Sequence, residues 1–122
     1  MTIKRPKYLY FIVVNLKGTD VLKFGISNKY ERRFKEYRDP ETVGYFVRML
    51  SLYKTNDAKR IETCLKYYMR NRSKPIIKQE YFDLVWYDEL IDALGRMGSF
   101  FFWKYKRLDV SVTVRRNKKR KQ

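Results

Sequence analysis

The sequence predicts an α+β domain: a small antiparallel sheet flanked by helices, in the order β-β-α-β-α, with a C-terminal helix and β-hairpin appendage. Three observations carry this reading. Residues 8–14 and 21–26 are short runs rich in β-branched and aromatic side chains, and they flank the turn signal Lys17-Gly18-Thr19-Asp20. That is the pattern of a hairpin. The apolar spacing then lengthens to a helical period twice, around residues 30–37 and 58–69, because one face of a helix recurs every 3.6 residues. Finally, 122 residues, 44% of them apolar and 17% aromatic, suffice for one core and little more.

Each element has its own signal. Tyr30, Phe34 and Tyr37 at i, i+4, i+7 predict the first helix, with Asn28 as its N-cap and Asp39-Pro40 as its stop. Residues 44–53 alternate through Tyr45, Val47 and Met49 and predict the third strand. Asn56 is expected to cap the second helix and Asp57 to suit the positive end of its dipole, while Ala58, Ile61, Leu65, Tyr68 and Met69 line one side. Asn71-Arg72-Ser73 and Pro75 end that helix, and residues 80–85 read as extended. Asp88 is expected to cap a shorter helix through Leu90, Ile91, Leu94 and Met97 that closes at Gly98. The aromatic run Phe100-Phe101-Phe102-Trp103 and the alternating Leu108, Val110, Val112, Val114 predict a terminal hairpin. The organisation expected is a core over residues 1–98, the aromatic hairpin packed on it over 99–114, and a basic tail over 115–122.

Charge narrows the partner. Twenty-nine Lys and Arg face 13 Asp and Glu, a formal +16. Self-repulsion of that size opposes folding and is tolerated where a polyanion neutralises it. The tail supplies Arg115, Arg116, Lys118, Lys119, Arg120 and Lys121; removing it leaves 23 basic against 13 acidic residues, still +10. Nucleic acid is therefore the expected partner, DNA in preference to RNA. A membrane surface would require a long basic amphipathic helix or a lipidation signal, and neither is present in the sequence. The run at residues 8–14 is too short for a signal peptide or a membrane span, so a soluble protein inside a cell or a virion is expected. With no histidine and the single cysteine Cys64, zinc sites of the Cys/His type and imidazole mechanisms are excluded. Any metal must be bound through oxygen, which points to a hard ion such as Mg2+.

Several side chains could touch a phosphate. Arg33 borders the apolar stripe of the first helix, whereas Arg32 is turned about 100° away. Packing could aim the Arg33 guanidinium at one oxyanion, or its stem could simply cover core. Glu62 lies inside the stripe formed by Ala58, Leu65 and Met69. A buried carboxylate calls for a cation or a metal, although an i,i+4 pair with Lys66 is also available. Tyr10 could be a core ring with its hydroxyl at the edge, and Gly25 a turn glycine or a point of close backbone approach.

As a set, these residues resemble a known family. Tyr8-Leu9-Tyr10, then Lys23-Phe24-Gly25, then Tyr30-Glu31-Arg32-Arg33-Phe34 are similar to the GIY, YIG and arginine motifs of the GIY-YIG nuclease superfamily. The arginine follows the second motif's glycine by eight residues, as Arg33 follows Gly25. Glu62 in Ala58-Lys59-Arg60-Ile61-Glu62 corresponds to the family's metal-binding glutamate. Lys23 stands where many members have tyrosine, as in a branch associated with phages and large viruses, and Glu80-Tyr81-Phe82 resembles that branch's ending. The first motif lacks its glycine, and the asparagine often found after the metal glutamate has no counterpart. The resemblance covers residues 8–84.

It implies a metal-dependent endonuclease. Glu62 would hold Mg2+ or Mn2+, Arg33 would neutralise charge developing at phosphorus, and Tyr10 would activate the attacking water. Lys23 would assist Tyr10 or contact a phosphate oxygen. Arg32, Arg33 and Lys59, with Arg115, Arg116, Lys118, Lys119 and Arg120 of the tail, are the expected nucleic-acid contacts. The alternative is a catalytically inactive relative that binds or packages nucleic acid. A ribosome-type basic protein with an aromatic RNA-stacking surface accounts for the charge but not for the motif spacing.

Overall fold

The structure is a computed structural model that describes residues 6–29, 38–39, 44–72 and 81–109. It is α+β with an antiparallel sheet. Strands β1 (Tyr8–Leu16) and β2 (Thr19–Ser27) form the hairpin. Its two turn residues, Lys17 and Gly18, both have positive φ, 50° and 92°, the handedness that matches the natural twist of the strands. Asn15 closes this turn: its amide oxygen accepts the Gly18 N–H at 2.9 Å, and its Nδ2 donates to Asp20 at 2.8 Å.

The sheet runs β3 (Arg38–Asp39), β4 (Gly44–Lys54), β1, β2, β5 (Tyr81–Phe82). A sixth strand, β6 (Lys106–Leu108), also pairs with β4. Helices α1 (Ala58–Arg70) and α2 (Tyr87–Phe101) complete the described elements. β1 is central, and residues Leu9 to Val14 are at most 1% exposed. Burial on both faces explains why this strand is a continuous apolar run and not an alternating one.

The two faces have different neighbours. Leu9, Phe11, Leu22, Phe24 and Tyr53 form one core with Ile61, Leu65 and Met69 of α1 and Leu90, Ala93 and Leu94 of α2. Rings of Phe11, Phe24 and Phe82 stack in sequence at centroid separations of 5.7 Å. Tyr10, Ile12, Val14, Val21, Phe46, Leu52 and Tyr81 form the second cluster, on the opposite face. β4 keeps pace with β1 only through two register shifts, between Phe11 and Ile12 and between Val13 and Val14. Such irregularities bend a strand and increase its twist.

Three expectations need correction. The N-cap of α1 is Asp57 and not Asn56, with no side-chain cap; just ahead of it the Thr55 hydroxyl accepts the Asp57 N–H at 3.0 Å and donates to the Lys104 carbonyl at 2.6 Å. Ahead of α2, Asp83 and not Asp88 supplies the cap, accepting the Val85 N–H at 3.0 Å at the start of a short 3-10 turn, Leu84–Trp86. Most consequentially, α2 does not close at Gly98. It continues through Phe100 to Phe101 and ends with Phe102 in the left-handed conformation, φ 59°.

Gly98 is small for a different reason. A Cβ there would lie 2.9 Å from the Tyr105 ring. The Gly98 carbonyl instead accepts the N–H groups of Phe102 and Trp103 and so ends the helix. The Phe100-Phe101-Phe102-Trp103 run is therefore a helix end and not the first strand of a hairpin. β6 finds its partner in β4, Leu52 opposite Leu108. The helix expected over residues 30–37 and the strand expected beyond Asp109 lie outside the described residues. Among the described residues no helix is long and apolar enough to cross a membrane.

Candidate active site

The hairpin register sets the centre of the site. Tyr10 faces Gly25 and Ile12 faces Lys23, so Tyr10 and Lys23 are diagonal neighbours on one face, within reach of long side chains. The Tyr10 ring lies across β2. A Cβ on Gly25 would come within 2.6 Å of its hydroxyl oxygen and 2.9 Å of Cζ. Gly25 is thus the residue that lets the phenol pass over the neighbouring strand, a close-approach role and not a turn role. The ring is 1% exposed.

Lys23 is also buried, at 7% exposure. It pairs across the sheet with Tyr81, and its Nζ stands 5.2 Å from the centre of that ring. A buried ammonium needs compensation, and an aromatic face provides part of it. Sequence reasoning gives Tyr81 no role; its one signal is membership of Glu80-Tyr81-Phe82. A two-residue strand reached through a long connection leaves no periodicity to read.

Glu62 is buried on α1 beside Ala58, Ile61, Leu65 and Met69. Its carboxylate oxygens lie 3.7 Å from Lys59 and 3.4 Å from Lys66. α1 meets α2 through its other flank, where the Tyr68 hydroxyl donates to Glu89 at 2.7 Å and Arg72 pairs with Glu89 at 3.8 Å. Glu62 stands about 120° round the helix from Tyr68, on the flank turned away from α2. α2 covers β1 and β4, where Tyr87 contacts the Phe11 ring and hydrogen-bonds Ser51 at 2.8 Å. α1 itself lies against β2 and β1. β5 pairs with β2 only at Leu22 and Lys23. Among the described residues, β2 from Gly25 to Ser27 has no outer strand neighbour, and the Tyr10 phenol extends across the strand at that point.

Tyr10, Lys23 and Gly25 are thus grouped together, with Tyr81 beside Lys23. Glu62 belongs to the helix on the opposite face of the sheet, and the structure does not bring it together with Tyr10 and Lys23; Lys59 pairs with it. Arg32 and Arg33, and the tail residues Arg115, Arg116, Lys118, Lys119 and Arg120, lie outside the described residues.

The donor set is compatible with a hard divalent ion. Among the described residues no three carboxylates or thiols gather into a ready-made cage. Mg2+ does not need one, since it commonly keeps several waters and binds through one or two carboxylates plus phosphate oxygens. The lysines at Glu62 are exchangeable partners: Lys59 is 75% exposed and Lys66 37%, and ion pairs of this kind on a helix surface are weak.

Fold and site define a small, strongly basic α+β domain built on a central hairpin, with a tyrosine laid over a glycine and a buried lysine beside them. Residues 7–98 match the T5orf172 domain, and the chain belongs to that family, a domain linked to nuclease-type domains of phages. No curated protein and no solved structure matches the chain.

Proposed function

We propose that the protein is a metal-dependent endonuclease of the GIY-YIG type that hydrolyses phosphodiester bonds in nucleic acid, with DNA as its substrate. The observation that carries the reading is the passage of the Tyr10 phenol over Gly25 toward the edge of β2. Glu62 is buried on α1, which packs on the other face of the same hairpin. A fold alone has little use for a carboxylate inside an apolar helix stripe.

In this reading Glu62 would hold Mg2+ or Mn2+, and the ion would supply Lewis acidity toward the phosphate. Tyr10 orients and activates the attacking water. Lys23, held by Tyr81, directs positive charge at the phosphate path. Arg33 offers its guanidinium fork to the charge that develops at phosphorus. Lys59, released from Glu62, contacts the backbone of the nucleic acid, as does Arg32.

Two observations favour a second reading, a nucleic-acid-binding or packaging protein without catalysis: the Tyr10 ring is 1% exposed, and Glu62 already has two lysine partners. The test incubates wild type and Glu62→Gln with supercoiled plasmid and with RNA, with and without Mg2+ or Mn2+. Metal-dependent nicking by wild type, lost at least about a hundredfold in the variant, supports the endonuclease. Equal binding by both proteins with no cleavage of any substrate overturns it in favour of the binder.

A further inference from the structure

The end of α2 presents three large aromatic side chains to solvent: Phe100 is 75% exposed, Phe101 50% and Phe102 85%. Such exposure carries an aggregation risk unless something covers it. The surrounding chain is held firmly. Trp103 is buried at 6% exposure, stacked on Phe101 at 5.3 Å. The Lys104 carbonyl is fixed by the Thr55 hydroxyl at 2.6 Å, and the Tyr105 ring packs over Gly98 and meets Tyr53 edge-on at 5.7 Å. Phe102 occupies the left-handed region, φ 59°, which is costly for a bulky residue. That backbone turn sends Trp103 inward and leaves Phe102 outside.

The segment after the helix is cationic. Lys104, Lys106 and Arg107 are all exposed, and no carboxylate occurs between Ser99 and Leu108. Exposed aromatic faces followed within a few residues by exposed cations match the two parts of an unpaired nucleotide, a π-faced base and a phosphate. A duplex buries its base faces in its own stack and has only its phosphates to offer.

We infer that the α2 terminus is a stacking platform for unpaired bases, with Phe100 and Phe102 taking the bases and Lys104, Lys106 and Arg107 the backbone. The substrate it selects is single-stranded nucleic acid, or a duplex carrying a single-stranded segment. The inference rests on the nucleic-acid part of the function proposed above and is independent of cleavage.

The test compares wild type with the double variant Phe100→Ala/Phe102→Ala. Both residues are exposed, so the fold should persist, as an unchanged circular-dichroism spectrum would show. Binding is measured to a single-stranded oligonucleotide, to the matching duplex, and to an abasic strand of equal charge. The variant should lose about tenfold or more on the single strand and change little on the duplex and the abasic strand. An equal loss on all three probes, or no loss on any, overturns the platform while leaving nucleic acid as the partner. A wild type that binds none of the probes removes the nucleic-acid partner itself, and the platform with it. A wild-type dimer that the double variant converts to monomer, without change in oligonucleotide binding, assigns the patch to a second copy of the chain and also overturns the inference.

Discussion

Replacing Gly25 by alanine probes the centre of the candidate site with a single methyl group. Elsewhere in a strand this substitution stabilises by about 0.5–1 kcal/mol, because glycine loses more backbone freedom on folding than alanine. Here the added Cβ would lie 2.6 Å from the Tyr10 hydroxyl oxygen and 2.9 Å from Cζ. The ring is 1% exposed and packed with Ile12, Leu52 and Tyr81, so it cannot swing into solvent. Overpacking a well-filled core costs roughly 1–3 kcal/mol, which outweighs the entropic gain. Gly25→Ala should therefore lower the melting temperature by about 5 °C, and by no more than about 10 °C, taking roughly 4 °C per kcal/mol for a chain of this length. Urea titration followed by circular dichroism measures the same change.

Tyr10→Phe removes the oxygen and leaves the 2.9 Å contact to Cζ. In a double-mutant cycle Gly25→Ala should thus cost less in the Tyr10→Phe background, with a coupling of about 0.5–1.5 kcal/mol. If Gly25→Ala is as stable as wild type, or if the two changes are additive, the phenol does not lie over Gly25 and the candidate site loses its geometric basis.

Burial raises the Tyr87 phenol above its ordinary value of 10.0, against the lowering effect of its hydrogen bond to Ser51. The folded state prefers this phenol neutral, so the stability it contributes is complete below pH 10.0 and declines as the pH rises through the raised folded value. Tyr87→Phe should flatten part of the alkaline fall in stability; an unchanged dependence of the urea midpoint on pH above 10.0 would refute this. Deleting residues 115–122 removes six cations. If all six meet phosphates, the slope of log affinity against log salt should become shallower by about 5. The same slope in the truncated chain would show that the tail does not contact nucleic acid.

The hairpin was legible because two β-branched runs flank Lys17-Gly18, and a two-residue turn there fixes every cross-strand pair. The sequence marks the turn only as Lys17-Gly18-Thr19-Asp20; narrowed by the structure to Lys17 and Gly18, it places Tyr10 opposite Gly25 and Lys23 on the same face. α1 was legible for a similar reason, since its stripe of Ala58, Ile61, Leu65 and Met69 is long and regular. What the sequence concealed depends on contacts distant along the chain. Gly98 looks like a helix stop, yet its smallness serves Tyr105. Phe100 and Phe101 look like strand because they are aromatic, yet a helix that can end through the Gly98 carbonyl tolerates them in its last turn. Thr55 holds the Asp57 N–H ahead of α1 while binding Lys104, 49 residues away, and no local window shows that. Tyr81 reaches Lys23 through only two paired residues, too few to leave a pattern.

Net charge imposes a final constraint on the proposed site. A divalent cation approaching a protein of formal charge +16 is repelled unless a local negative group reverses the field. Glu62 is such a group, but Lys59 and Lys66 largely cancel it while they remain paired. Phosphate offers both lysines a better partner, since it brings charge and several acceptor oxygens at once. In the proposed function, nucleic acid would draw the lysines away and leave the carboxylate free to hold the ion. Metal and nucleic acid then favour each other's binding, as linkage requires of any two ligands that relieve the same repulsion. A site with one buried carboxylate among the described residues, in so basic a chain, is suited to assembly on its substrate and not to holding an ion beforehand.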